Sequence, residues 1–118
     1  MRVEVYHLTR AAYIGFTFRG RNAKTIFPNE YEKVAVVNAK ELESAFRTTN
    51  HIDENWTEND EVIWSARREV RSTSVGDVFL ADGKAYFVAS CGFEEFDFPH
   101  VIETLKPEDF RNPVLVGQ

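Results

Sequence analysis

The stretch Val78-Phe79-Leu80-Ala81-Asp82-Gly83-Lys84-Ala85-Tyr86-Phe87-Val88-Ala89 constrains this chain more than any other. Asp-Gly between two apolar runs predicts a two-residue type I′ turn, because both central residues of that turn need positive φ. The turn fixes the register, with Leu80 opposite Ala85, Phe79 opposite Tyr86 and Val78 opposite Phe87. Val78, Leu80, Phe87 and Ala89 then share one face of the hairpin, while Phe79, Tyr86 and Val88 share the other. Both faces are apolar, so the hairpin, set at residues 76–91, has to be covered on two sides. The expected fold is an α+β domain built on a small curled antiparallel sheet or a barrel-like β structure of five to seven short strands.

The rest of the chain supplies the other strands and one helix. Val3, Val5 and His7 alternate with Glu4, Tyr6 and Leu8, a period of two that predicts an opening strand. Tyr13-Ile14-Gly15-Phe16-Thr17-Phe18 is rich in β-branched and aromatic residues and reads as a second. Pro28 and Asn29 mark a turn, Val34–Val37 is apolar on both faces as a central strand would be, and Glu61–Trp64 is another short strand. The helix is placed at residues 39–49. Asn38 stands as its N-cap with Glu41 three residues on, and Leu42, Ala45 and Phe46 form one apolar stripe. A shorter helix is expected around His100–Leu105, limited by Pro107.

With 118 residues there is room for one core, so residues 1–118 are read as a single domain. Ten Phe, four Tyr and two Trp exclude a disordered tail. One Cys excludes an internal disulfide, and with it a stapled secreted scaffold. No run has the character of a signal peptide or a membrane span, which predicts a cytoplasmic protein with no membrane partner. The net charge of −5 argues against a general binder of phosphate backbones. Charge is nevertheless uneven: residues 1–24 hold five bases and one acid, and residues 25–62 hold nine acids and three bases. Such blocks steer partners more than they shape a fold.

Known chemistries mostly fail on spacing. In Asp53–Glu61 the first three oxygen donors suit a calcium loop, but Glu58 stands where glycine is needed and Trp64 where the bidentate Glu belongs. The run reads instead as a solvated acidic loop around a buried Trp56. His7, His51, Cys91 and His100 have no paired spacing for zinc, and the six glycines form no phosphate loop, so neither metal nor cofactor is expected. A Cys91–His100 nucleophile and base would lack an oxyanion loop and an orienting partner. Cys91 is expected in the core as a small apolar residue.

One stretch carries a family resemblance. Arg71-Ser72-Thr73-Ser74-Val75-Gly76-Asp77-Val78, then Asp82-Gly83-Lys84, Tyr86, Val88 and Gly92-Phe93-Glu94, resembles the YodL-like domain. That family's pattern is Arg-Ser-x-Ser-Val-Gly-Asp-Val, a turn, a Gly, Tyr-x-Val and a closing Gly-Phe-Glu. The match covers about a fifth of the chain. The resemblance implies an accessory protein encoded by bacteriophages, plasmids or integrative elements of Gram-positive bacteria, working in the host cytoplasm, and it implies no particular activity. Physically, the motif is a loop-to-strand corner. Gly76 allows a tight bend, Ser74 or Asp77 bonds backbone groups there, and Gly92 lets the strand bulge or turn away.

Three functions compete. The first is non-enzymatic binding of a host or phage protein, docking through Trp56, Glu94, Phe96 or Phe98, whichever aromatic is exposed. Phe96 and Phe98 point inward if Glu94–Phe98 is an amphipathic strand. The second is single-stranded DNA or RNA binding on a basic face. It would join Arg10, Arg19, Arg21 and Lys24 to Arg67, Arg68 and Arg71, with Tyr13, Phe16 and Phe18 as stacking groups. The third is a small enzyme built on Cys91. The oligomeric state is left open by the sequence.

Overall fold

The computed structural model describes residues 1–10, 24–51, 53–97 and 100–103. Among these residues, eight strands, one α-helix and one 3-10 turn follow one another as β1 (Arg2–Leu8), β2 (Lys24–Phe27), β3 (Tyr31–Asn38), α1 (Leu42–Thr49), the 3-10 turn (Trp56–Glu58), β4 (Val62–Ser65), β5 (Val78–Ala81), β6 (Lys84–Ala89), β7 (Gly92–Phe96) and β8 (His100–Glu103). Six strands form one antiparallel sheet in the order β4-β3-β1-β5-β6-β7, and β2 pairs with β8 in a separate two-stranded sheet. The fold is α+β. The six-stranded sheet ends at β4 and β7 and does not close into a barrel. The expected strand at 13–18 lies outside the described residues.

The hairpin has the expected register. Leu80 faces Ala85, Phe79 faces Tyr86 and Val78 faces Phe87. Asp82 and Gly83 both have positive φ, 52° and 76°, as a type I′ turn demands. Its two apolar faces meet two different cores. Val78, Ala85 and Phe87 join Leu8, Phe27, Tyr31 and Val75 on one side. Phe79, Ala81 and Val88 join Val3, Val5, Val37, Ala45 and Trp56 on the other. Phe27 sits edge-on to Tyr6, Tyr31 and Phe96, with ring centroids 5.2, 5.2 and 5.6 Å away. Such aromatic edges fill the first core without stacking strain.

Strand β1 is the sheet's organiser, antiparallel to β3 on one side and to β5 on the other. Its register against β3 slips between Val5 and Tyr6. Val34 is thereby an extra residue in β3, a bulge that adds local twist.

Two expectations about helices are corrected. α1 begins at Leu42, not 39, and its N-cap is Glu41, whose side chain makes no capping bond. Asn38 ends β3 instead. Its N–H donates to the Glu61 carbonyl at 2.8 Å, and the Ala39 N–H to the Met1 carbonyl at 2.9 Å. These bonds hold Asn38 and Ala39 as the end of the sheet, so the helix starts later. The apolar stripe is as expected, with Ala45 buried and Leu42 and Phe46 packed on the second core. The second correction concerns His100–Glu103, which is a strand pairing with β2 from Lys24↔Glu103 to Phe27↔His100. Its centre, Val101-Ile102, is β-branched, and Pro107 leaves too few residues for a stable helix.

Candidate protein-binding surface

The Arg71–Asp77 segment is densely bonded outside the strand ladders. Gly76 has φ 99°, the left-handed bend that turns the chain into β5, and its carbonyl accepts from the Tyr31 hydroxyl at 2.6 Å. Asp77 is fully buried, and its carboxylate accepts from four groups. Oδ1 takes the Leu8 N–H at 3.0 Å and Arg71 Nη2 at 2.6 Å. Oδ2 takes the Ser74 N–H and Arg71 Nη1, both at 2.8 Å. Burial by itself would raise this carboxyl's pKa. The Arg71 charge, the neighbouring His7 and the hydrogen bonds from Arg71 and Ser74 outweigh it and hold the pKa below the usual range.

His7 lies on the same cluster, 2% exposed, with Nε2 2.7 Å from Thr73 Oγ1 and 3.8 Å from Asp77 Oδ2. We place the ring proton on Nε2, where an N–H rather than a lone pair faces the carboxylate. Burial pushes the imidazole down to about 3, against the pull of Asp77 and with the help of the Arg71 charge. A histidine so strongly held neutral is a poor proton shuttle near neutral pH. Trp56 closes the cluster from above, its Nε1–H donating to the Arg71 carbonyl at 3.0 Å. Next to it, Asn55 and Thr57 both donate to the Arg68 carbonyl, tying the acidic loop to residue 68. The motif is thus a clamp joining β1, the 3-10 turn and the corner before β5.

The expected site residues fare unevenly. Trp56 is 1% exposed and is a core residue, so it cannot anchor a docking partner. Phe96 is half-buried against Phe27, the inward arrangement, while Glu94 beside it is exposed. Cys91 is exposed, contrary to the expected core position. The pairing of Ala89 with Gly92 leaves Ser90-Cys91 as the turn between β6 and β7, and Gly92 follows with φ 96°. Phe98, Arg19 and Arg21 lie outside the described residues. Arg10, Arg67 and Arg71 do converge, around a cavity of about 640 Å³ that His7, Glu32 and Glu69 also line. Carboxylates hold two of the three. Arg71 is on Asp77, and Arg67 is bidentate on Glu32 at 2.6 and 3.1 Å, which holds the Glu32 carboxyl below its usual pKa. Arg68 is exposed.

Two surfaces went unread in the sequence. The first is a groove of about 810 Å³ between α1 and the β6–β7 hairpin, walled by Leu42, Phe46, Val88 and Phe93, with Glu43 and Arg47 on its rim. Phe93 lies between Phe46 and Phe79, with centroids 6.4 and 5.7 Å away. The helical stripe pointed to the helix wall of this groove. The hairpin wall depends on where β7 lies. The second surface is the edge strand β4, where Ile63 and Trp64 are 50% and 46% exposed. Among the described residues, no helix is long and apolar enough to cross a membrane. Compared with known protein families, curated proteins and solved structures, the chain matches none.

Proposed function

We propose that this protein is a non-enzymatic accessory protein of a bacteriophage or mobile element that acts in the host cytoplasm by binding a host or phage protein. The observation that carries this reading is the apolar groove between α1 and β6–β7. It is a concave, aromatic-walled surface with a charged rim, the form that receives an apolar side chain or short segment of a partner. The buried polar groups support the same reading, since Asp77 bonds Arg71 and the backbone while His7 bonds the Thr73 hydroxyl, and these contacts serve the fold. The resemblance to the YodL-like domain supports the mobile-element setting. Nucleic-acid binding is the weaker reading, because Arg67 and Arg71 are already engaged by carboxylates.

The test is affinity capture from an extract of the bacterial host, with protein and nucleic acid recovered in parallel. Leu42→Glu places a charge in the groove wall at a half-buried position. The expected outcome is a specific protein that binds the native chain and is lost from Leu42→Glu, whose circular dichroism stays native. Recovery of nucleic acid alone, with an affinity falling steeply as salt rises, would reverse the order of the two readings.

A further inference from the structure

The β4 edge carries a charge pattern that fits one partner in particular. Residues 60–68 read Asp60-Glu61-Val62-Ile63-Trp64-Ser65-Ala66-Arg67-Arg68, with two acids before an apolar centre and two bases after it. All four charged residues are exposed. β4 itself is Val62–Ser65, with Asp60-Glu61 in the turn that the Val62 N–H closes on the Asn59 carbonyl and Arg67-Arg68 in the bend after it. Two copies laid antiparallel about a two-fold axis at Trp64 therefore bring the acidic turn of each toward Arg68 of the other. Arg67 stays on Glu32 of its own chain, and the two-fold axis repeats the approach of the acidic turn to Arg68 on either side of the apolar centre. We infer that the protein forms a two-fold dimer by pairing β4 with β4 of a second copy.

β4 has one irregularity, an extra residue at Ile63 between Val62↔Val37 and Trp64↔Val36, and from Trp64 onward its open side is set for this pairing. Contact with β3 runs beyond the strand's ends, since the Glu61 carbonyl accepts from Asn38 and the Ala66 N–H donates to the Val34 carbonyl at 2.8 Å each. The Ala66–Val34 bond marks Ser65, opposite Ala35, as a widely spaced pair. Ser65 therefore aims its own N–H and C=O away from β3, toward the open side. Trp64, one residue earlier, is opposite Val36 and turns its backbone groups inward. Toward a second copy it occupies the non-hydrogen-bonded position, where facing Cα atoms come within about 4.5 Å and the side chains meet. Two indoles then meet across the axis, a favourable cross-strand aromatic pair. Lys33 Nζ, 5.8 Å from the ring centroid, stays on the same face beside the pair.

The other edge is built against self-pairing. β7 and the residue after it read Gly92-Phe93-Glu94-Glu95-Phe96-Asp97, so an antiparallel copy sets acid against acid. Directly opposed like charges are destabilising, a common device for keeping an edge strand single. One end of the sheet repels its own copy and the other attracts it, which stops the assembly at two. The inference is independent of the groove between α1 and β7, which lies on other elements.

A four-residue strand buries less area than a standard interface, so the dimer is expected to be weak and dependent on concentration. Sedimentation equilibrium of the full chain should show a mass rising with concentration from 13.6 kDa to twice that and no further. Native Trp fluorescence should shift to the blue over the same range as the exposed Trp64 becomes covered. Trp64→Glu should be monomeric throughout. Arg68→Glu, at an exposed position with little bearing on the fold, should weaken the dimer about tenfold. Adding Asp60→Lys to Arg68→Glu exchanges the charges of Asp60 and Arg68 and should restore it. A monomer at every concentration, growth beyond two copies, or a double variant as weak as Arg68→Glu would each overturn the proposal.

Discussion

Asp77 has one carboxylate to satisfy the Leu8 and Ser74 N–H groups and the Arg71 guanidinium, and no water reaches it. Asp77→Asn keeps the shape but removes the charge, leaving Arg71 without its counterion and one oxygen to replace two. Breaking a fully buried pair costs about 3–5 kcal/mol, and with the Arg71 side chain 30% exposed the loss should fall at the lower end of that range or somewhat below it. Urea unfolding of Asp77→Asn should show a loss of that order, and a loss under about 1 kcal/mol would contradict the clamp. A corner role for Ser74 and Asp77 is legible in Ser-Val-Gly-Asp, since these side chains bond nearby backbone. Their partners Leu8 and His7 are not legible, because they come from the far end of the chain and no local pattern encodes such a pairing. Trp56 is a similar case. The sequence marks it as a large apolar group in an acidic loop, and only the position of the Arg71 carbonyl shows that its indole N–H has an internal acceptor.

Among the elements, the β5–β6 hairpin is the most legible, and its turn is the easiest to test. A Cβ built on Gly83 meets nothing within 4 Å, so any cost of substitution comes from the backbone at φ 76° and not from a clash. Gly83→Val should cost about 1–2 kcal/mol, because a β-branched residue resists positive φ, and Gly83→Asn should cost clearly less. Equal losses for the two would argue for a steric origin instead. Thermal unfolding of both variants separates these outcomes. The start of α1 and the nature of β8 were harder to read for one shared reason. Asn38-Ala39-Lys40-Glu41 is a good local start for a helix, but bonds to the Glu61 and Met1 carbonyls hold its first two residues at the end of the sheet. His100–Glu103 is short enough for either state, and its pairing with β2 decides it. In both places tertiary hydrogen bonds override a weak local preference. The exposure of Cys91 follows from register in the same way, since a one-residue slip between β6 and β7 would have changed which residues form the turn.

For the molecule as a whole, stability should depend on pH through His7. Folded, its pKa is about 3; unfolded, it returns to about 6.5. Below that higher value the unfolded chain binds a proton that the folded chain refuses. Stability is therefore full above about pH 6.5 and falls as the pH drops toward 3, by up to about 1.4 kcal/mol per pH unit. Asp77, whose pKa is lowered by folding, adds a further loss only below its ordinary value of 3.8. Urea midpoints taken from neutral to mildly acidic pH should decline from about 6.5 downward, and His7→Leu should remove most of that slope. A native midpoint that is flat across this range would show that His7 is charged inside the fold. The layout of the sheet bears on how the chain is made as well as on how it stands. β1 is synthesised early, yet Val3 finds Ala81 and Tyr6 finds Val78 only after most of the chain has left the ribosome. Contacts so distant in sequence form slowly, and until they form β1 presents a bare edge flanked by apolar residues. A nascent chain stalled before residue 78 consequently leaves that side of β1 unpaired and prone to association, and formation of β5 covers it.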